Sequence, residues 1–145
     1  MTRSPLRKIR PLFHIWHRVC SWILRTMKVL IIEQEKTLQQ SLSYYLEHHK
    51  NFEVLLAHSK KEGISLLETF PCDMVLCGDR LPDGNGLDTL KELAQMNPQI
   101  ISILMTVHGD ESLKEEALKA GIRGYLEKPF DLKQLEEVMD ANRTQ

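Results

Sequence analysis

The sequence has few cysteines and no long apolar run. Cys20, Cys72 and Cys77 are odd in number and lack the spacing of metal ligands, so neither a disulfide framework nor a cysteine metal site is predicted. No apolar stretch reaches the length of a membrane-spanning helix, and no small-residue cleavage motif indicates a signal peptide. These absences favour a reducing, cytoplasmic location.

Acidic residues are missing from positions 1–26. Six of the 19 Lys and Arg residues lie there, so this segment has a formal charge of +6 and the rest of the chain −7, although the whole chain is close to neutral at −1. Leu12, Trp16, Val19 and Ile23 share one face of a helix, which predicts a basic amphipathic extension. It would pack on the acidic body, on a partner, or on an anionic membrane surface. The alternative is that Met27 is the natural start and that 1–26 come from an over-long gene prediction.

From position 27 to 145 the sequence predicts one domain in which strands and helices alternate. Short apolar runs rich in Val, Ile and Leu predict strands buried on both faces, and apolar residues at helical spacing follow each of them. This order is typical of a doubly wound α/β fold with a five-stranded parallel sheet, of the flavodoxin-like type. The predicted strands lie at 29–32, 52–56, 74–77, 100–105 and 123–126, and the helices near 37–49, 59–70, 87–97, 110–120 and 131–139.

In such folds the functional crevice lies at the carboxyl ends of the strands. The loop after the first strand contains no glycine, which disfavours a loop that binds a dinucleotide or the phosphates of a nucleoside triphosphate. Carboxylates follow the third strand at Asp79 and Asp83, Thr106 ends the fourth, and Lys128 follows the fifth. Oxygen ligands suit Mg²⁺ and an ammonium suits phosphate, so this edge is predicted to hold a metal and a phosphoryl group.

Residues 27–142 resemble the receiver domain of bacterial two-component response regulators, the CheY-like family. Each matching stretch is unspecific alone, and the ordered set carries the resemblance. They are Lys-Val-Leu-Ile-Ile at 28–32, Leu-Pro-Asp-Gly-Asn-Gly-Leu at 81–87, Met-Thr-Val-His-Gly-Asp at 105–110, Ala-Leu-Lys-Ala-Gly at 117–121 and Tyr-Leu-Glu-Lys-Pro-Phe-Asp-Leu at 125–132. The resemblance implies that Thr106 and Lys128 contact the phosphoryl group, that Tyr125 is the aromatic switch residue, and that the Lys128–Pro129 peptide is cis.

The resemblance also exposes departures from the family pattern. The acidic pair that holds Mg²⁺ is here Glu33 and Gln34, and the phosphoacceptor position is Gly78, which has no side chain. Mg²⁺ binding is therefore expected to be weak, and Glu33 is expected to pair with Lys128 instead. Asp79 is the possible substitute acceptor, but side-chain alternation along a strand predicts that it points away from the site unless a bulge redirects it.

Several alternatives remain open at neighbouring positions. Tyr125 either works as a switch with Thr106 or merely packs at the edge of the fifth strand. Cys77 is expected to be a buried, inert thiol, and His108 a solvated loop residue.

The sequence thus predicts a stand-alone, degenerate receiver domain that is not an enzyme and acts by protein–protein interaction. Its expected partners are a sensor kinase or a downstream signalling protein, with no direct binding to nucleic acid because only the extension is strongly basic. Two other functions are carried as alternatives: a conventional phosphorelay receiver that uses Asp79, and a small flavodoxin-like cofactor-binding protein.

Overall fold

Five parallel strands form the central sheet of the computed structural model, which describes residues 26–143. Their order is β2-β1-β3-β6-β7, so β3 lies in the middle of the sheet. Five helices connect or follow these strands, which agrees with the doubly wound fold that the sequence predicts. The elements are β1 (Lys28–Ile32), α1 (Lys36–His49), β2 (Glu53–Ala57), α2 (Lys60–Thr69), β3 (Met74–Gly78), β4 (Arg80–Leu81), β5 (Gly84–Asn85), α3 (Gly86–Met96), β6 (Ile101–Thr106), α4 (Glu111–Lys119), β7 (Gly124–Glu127) and α5 (Leu132–Arg143).

The sheet is covered on both faces because alternate residues of each strand point to opposite sides. Side chains such as Ile32, Val75 and Leu104 pack with the buried residues of α2, α3 and α4 in one apolar cluster. Side chains such as Ile31 and Met105 pack with α1 and α5 in a second cluster. The helices cover both faces of the sheet, and the carboxyl ends of the five parallel strands all meet at one edge. The candidate site lies at that edge.

Most helices begin at a residue whose side chain caps the first turn. The side chains of Ser59 and Asp110 accept hydrogen bonds from the backbone N–H three residues later, and Asp131 and Gln134 bond to each other's backbone N–H reciprocally. At α2 the carboxylate of Glu62 accepts from the N–H of His58, one residue before the cap. Gly121 follows α4 with a φ of 85°, a conformation that glycine adopts without a steric penalty.

The segment after β3 contains two short strands beyond the five that the sequence predicts. Two strands of two residues each, β4 and β5, pair antiparallel there, with Arg80 opposite Asn85 and Leu81 opposite Gly84. The sequence signal was the cluster of Pro, Asp, Gly and Asn, which predicts a turn but does not fix its pairing.

The basic segment at 1–26 lies outside the described residues except for its last position, so its predicted amphipathic helix stays a prediction. Within residues 26–143, none of the helices combines the length and the apolar character that crossing a bilayer requires.

Candidate functional site

The strand register brings the predicted site residues to one edge of the sheet. Ile32 of β1 pairs with Cys77 of β3, which in turn pairs with Leu104 of β6. The next position along these strands therefore sets Glu33 beside Gly78. Thr106 ends β6 opposite Glu127 of β7, and the N–H of Lys128 donates to the carbonyl of Thr106 over 2.7 Å.

Glu33 and Lys128 form a largely buried ion pair across this edge. Their Oε2 and Nζ atoms lie 2.9 Å apart, and the side chains are 2% and 15% exposed. The other carboxylate oxygen of Glu33, Oε1, accepts a hydrogen bond from the N–H of Glu35 over 3.1 Å. Both oxygens of this buried carboxylate thus have a partner, and the ion pair expected from the sequence is confirmed.

Gly78 lies directly against this carboxylate. A Cβ placed on Gly78 would lie 2.5 Å from Glu33 Oε2, which is closer than real Cβ atoms approach other atoms, and 3.1 Å from the Cδ of Glu33. The space in front of the position that resembles the family's phosphoacceptor is therefore filled by the side chain of Glu33, the residue directly after β1.

Asp79 contacts Thr106, one of the predicted site residues. Its Oδ2 accepts a hydrogen bond from the fully buried hydroxyl of Thr106 over 2.6 Å. Side-chain alternation continues through this position, because Asp79 follows Val75 and Cys77 on the face of the sheet that also carries Leu104. Gly78 follows Leu76 on the opposite face, so Asp79 points away from Gly78, as the alternation predicts, and reaches Thr106. The backbone of Asp79 still bonds to both neighbours, through its N–H to Met105 and its carbonyl to the N–H of Gly86.

Tyr125 and Thr106 are joined through the backbone of His108. The phenol of Tyr125 donates to the carbonyl of His108 over 2.6 Å, and the N–H of His108 donates to the hydroxyl of Thr106 over 3.0 Å. Burial, followed by the nearby charges of Asp110 and other acids, raises the pKa of Tyr125, which keeps its phenol a hydrogen-bond donor. The side chain of His108 is exposed, as expected, whereas the link that its backbone makes between the two residues was not predicted.

The remaining predicted residues have other surroundings. Gln34 is exposed. Cys77 is fully buried, and burial is the largest cause that raises the pKa of its thiol, followed by the charges of Glu33 and Asp79, so the expectation of an inert thiol agrees with its surroundings. The Lys128–Pro129 peptide is cis, as the family resemblance implies.

Asp83 does not converge with the other carboxylates on the site. Its Oδ1 and Oδ2 accept hydrogen bonds from the N–H groups of Lys60 and Lys61 over 2.8 and 2.9 Å, at the first turn of α2. These backbone hydrogen bonds, that of Lys61 first, lower the pKa of Asp83. The carboxylate therefore anchors the β4–β5 turn to α2 instead of adding charge to the site.

This anchoring predicts a pH-dependent contribution to stability. A carboxyl group with a lowered folded-state pKa stabilises the fold above its unfolded pKa and loses that effect as the pH falls through the folded pKa. Asp83→Asn should therefore lower the melting temperature at neutral pH, and its difference from the wild type should shrink as the pH falls below the ordinary value of 3.8. Thermal melts across this range measure both effects, with Glu137→Gln, an exposed residue of α5, as the control. A difference that is constant with pH would contradict the assignment.

The side chains at this edge do not match the ligand set that Mg²⁺ prefers. Mg²⁺ takes carboxylate oxygens and keeps several waters, whereas the buried carboxylate of Glu33 already has both oxygens engaged by Lys128 and Glu35. Within residues 26–143, no three His, Cys, Asp or Glu side chains are grouped so that they could hold a metal ion.

Comparison with known proteins supports the same fold and family. The family model described as "Response regulator receiver domain" matches residues 29–140. Among solved structures, a two-component response regulator from Clostridium difficile is similar with a TM-score of 0.77 and 27% identity, over 83% of this chain and 98% of that one. A receiver domain protein from Clostridium thermocellum has a TM-score of 0.74 and 30% identity, over 81% of this chain and 94% of that one.

Curated relatives are longer than this chain. Response regulator protein PilR of Pseudomonas aeruginosa is 36% identical over 112 residues, which are 77% of this chain and 25% of PilR. Transcriptional regulatory protein CpxR of Escherichia coli is 33% identical over 108 residues, which are 74% of this chain and 45% of CpxR. The match thus spans less than half the length of these relatives. This match decides against the flavodoxin-like cofactor-binding protein that was left open, and the chain belongs to the family of response regulator receiver domains of two-component signalling.

Proposed function

We propose that this receiver domain acts in two-component signalling by protein–protein interaction, without phosphorylation of an aspartate at the usual position. The observation that carries the proposal is the packing at Gly78. No carboxylate stands at that position, and the space in front of it is filled by the carboxylate of Glu33, which is paired with Lys128.

Aspartyl phosphorylation needs a carboxylate nucleophile beside a bound divalent cation. Neither requirement is supported by the side chains at this edge, since Gly78 offers no nucleophile and Gln34 offers no charge. We therefore propose that Mg²⁺ binds weakly at Glu33 and Gln34, and that Lys128 takes the role of the neutralising cation. The domain then works as a signalling module and not as an enzyme.

A second candidate function rests on Asp79. Its carboxylate accepts a hydrogen bond from Thr106, the hydroxyl that the family resemblance links to the phosphoryl group. A phosphorelay receiver that accepts phosphate on Asp79 is therefore the alternative. Against it stands the engagement of Lys128 by Glu33, because Lys128 is the ammonium that would otherwise stabilise the transferred group.

Incubation with acetyl phosphate and Mg²⁺ separates the two functions. We expect the intact mass of the wild-type protein to stay unchanged, because Gly78 has no carboxylate and Lys128 is engaged by Glu33. The same treatment of Asp79→Asn is the control. A phosphoryl adduct on the wild type that disappears in Asp79→Asn would establish the second function and refute the first.

The proposed partners are a sensor kinase or a downstream signalling protein. Three apolar side chains at positions 107–132 are at least half exposed: Val107 near β7, Leu118 on α4 and Leu132 on α5. Their exposure suits a surface that contacts another protein. We do not propose direct binding to nucleic acid, since positions 27–145 have a net charge of −7. Contact of positions 1–26 with an anionic membrane surface stays a prediction from their sequence.

A further inference from the structure

We propose that Glu33 and Gly78 are a complementary pair, in which the carboxylate of Glu33 takes both the space and the ion pair that an acidic side chain at position 78 would have. The negative charge that neutralises Lys128 would then come from Glu33, directly after β1, and not from position 78 at the end of β3. This inference goes beyond the proposed function, because it concerns which atoms fill the site and does not depend on whether Asp79 accepts phosphate.

The backbone at Gly78 does not itself require glycine. Among the described residues the glycine with a left-handed φ is Gly121, and Gly78 ends a regular strand whose conformation other residues adopt. The atoms nearest to an added Cβ are Glu33 Oε2 at 2.5 Å, Cδ at 3.1 Å and Oε1 at 3.3 Å, all in one side chain. The need for glycine at this position therefore comes from Glu33.

The carboxylate of Glu33 is also fixed in place and is not simply the end of a mobile chain. It is 2% exposed, and its two oxygens are bound by Lys128 Nζ at 2.9 Å and by the N–H of Glu35 at 3.1 Å. A side chain added at position 78 must move this carboxylate away from both partners. The steric contact and the ion pair are therefore coupled.

The ion pair also ties the charge of Lys128 to Glu33. Lys128 is 15% exposed and has Glu33 as its ion-pair partner, and a buried ammonium without a counter-ion is strongly destabilising. Because Glu33 Oε2 lies where the side chain of position 78 would begin, a carboxylate attached to position 78 would reach the same surroundings. An aspartate there should therefore replace the charge of Glu33 when Glu33 is removed, and should conflict with it when Glu33 is present.

The steric overlap between Glu33 and a side chain at position 78 is tested by a double-mutant cycle that measures melting temperatures. Gly78→Ala in the wild type should lower the melting temperature by about 5 °C or more, which corresponds to roughly 1 kcal/mol in a domain of this size. In the Glu33→Ala background the same substitution should change it by less than about 2 °C, because the blocking carboxylate is gone. Equal effects of Gly78→Ala in both backgrounds would overturn the proposal.

Whether a carboxylate at position 78 can replace the charge of Glu33 is tested by restoring the stability of a Glu33→Ala protein. Glu33→Ala should lower the melting temperature, and adding Gly78→Asp should recover at least about half of that loss. Adding Gly78→Asn instead is the matched control, since Asn has nearly the same size and no charge, and it should not recover the loss. If Glu33→Ala alone does not fold, recovery of a folded Glu33→Ala/Gly78→Asp protein by circular dichroism is the expected result.

Two outcomes would reject the proposal that an aspartate at position 78 can replace the charge of Glu33. One is equal recovery by Asp and Asn, and the other is an unfolded protein in both double variants. Neither outcome bears on the acetyl phosphate experiment, which uses the wild type and Asp79→Asn, so failure of this inference and failure of the proposed function can be told apart.

Discussion

Replacing Lys128 by methionine is expected to lower the free energy of unfolding by about 3 kcal/mol, because removing one partner of a buried ion pair leaves the other charge without compensation. The charge left behind is that of Glu33, which is 2% exposed and cannot turn to solvent without breaking its bond to the N–H of Glu35. Methionine keeps the length and apolar stem of lysine, so the change removes the ammonium and little else.

Denaturant unfolding followed by circular dichroism measures this loss, and the matched control is Lys28→Met. Lys28 pairs with Glu53 at 3.8 Å, but these side chains are 46% and 63% exposed. Exposed pairs of this kind contribute at most about 1 kcal/mol, so the control should remain close to the wild type. A Lys128→Met protein as stable as the Lys28→Met protein would show that the buried pair contributes no more than a surface contact.

The second large effect is expected at Gly86, the first residue of α3. A Cβ on Gly86 would lie 2.1 Å from the carbonyl oxygen of Gly78 and 2.8 Å from its carbonyl carbon. These are backbone atoms at the end of the central strand, and they cannot move aside as a flexible side chain does. Gly86→Ala should therefore lower the free energy of unfolding by about 3 kcal/mol, at the upper end of the usual cost of overpacking.

A matched control for this substitution lies two residues earlier. A Cβ on Gly84 would meet only the Cδ of Lys60, at 3.3 Å, and that side chain is flexible. Gly84→Ala should thus be within about 0.5 kcal/mol of the wild type, the usual range for surface positions. Both variants can be measured by the same denaturant titration. Similar stabilities of Gly86→Ala and Gly84→Ala would mean that α3 shifts away from β3 at little cost.

The fold could be predicted from the sequence because its signals are local and repeated. Apolar runs such as Val29–Ile32 alternate with helical patterns that begin at capping residues such as Ser59 and Asp110, and each signal constrains its neighbours. The β4–β5 pairing was missed because strands of two residues are too short to show a period.

The site could be predicted only in part, because its contacts depend on distances between strands that are remote in sequence. The pair of Glu33 and Lys128 was expected from charge alone, since a buried lysine needs a counter-ion. The packing of the Glu33 carboxylate against Gly78 was not expected, because it follows from the register of β1 beside β3. The contact of Asp79 with Thr106 was not predicted, because it depends on the pairing of β3 with β6.

The contact between Glu33 and Gly78 also restricts which mutational paths are open to this chain. A single change of Gly78 to aspartate would bring two carboxylates and a steric overlap to one lysine, and a single loss of Glu33 would leave that lysine unpaired. Each one-step path therefore passes through a less stable protein, whereas changing both residues together keeps the charge balance. The two positions should consequently behave as one epistatic unit, so that a chain in this state tends to keep both residues or to exchange both.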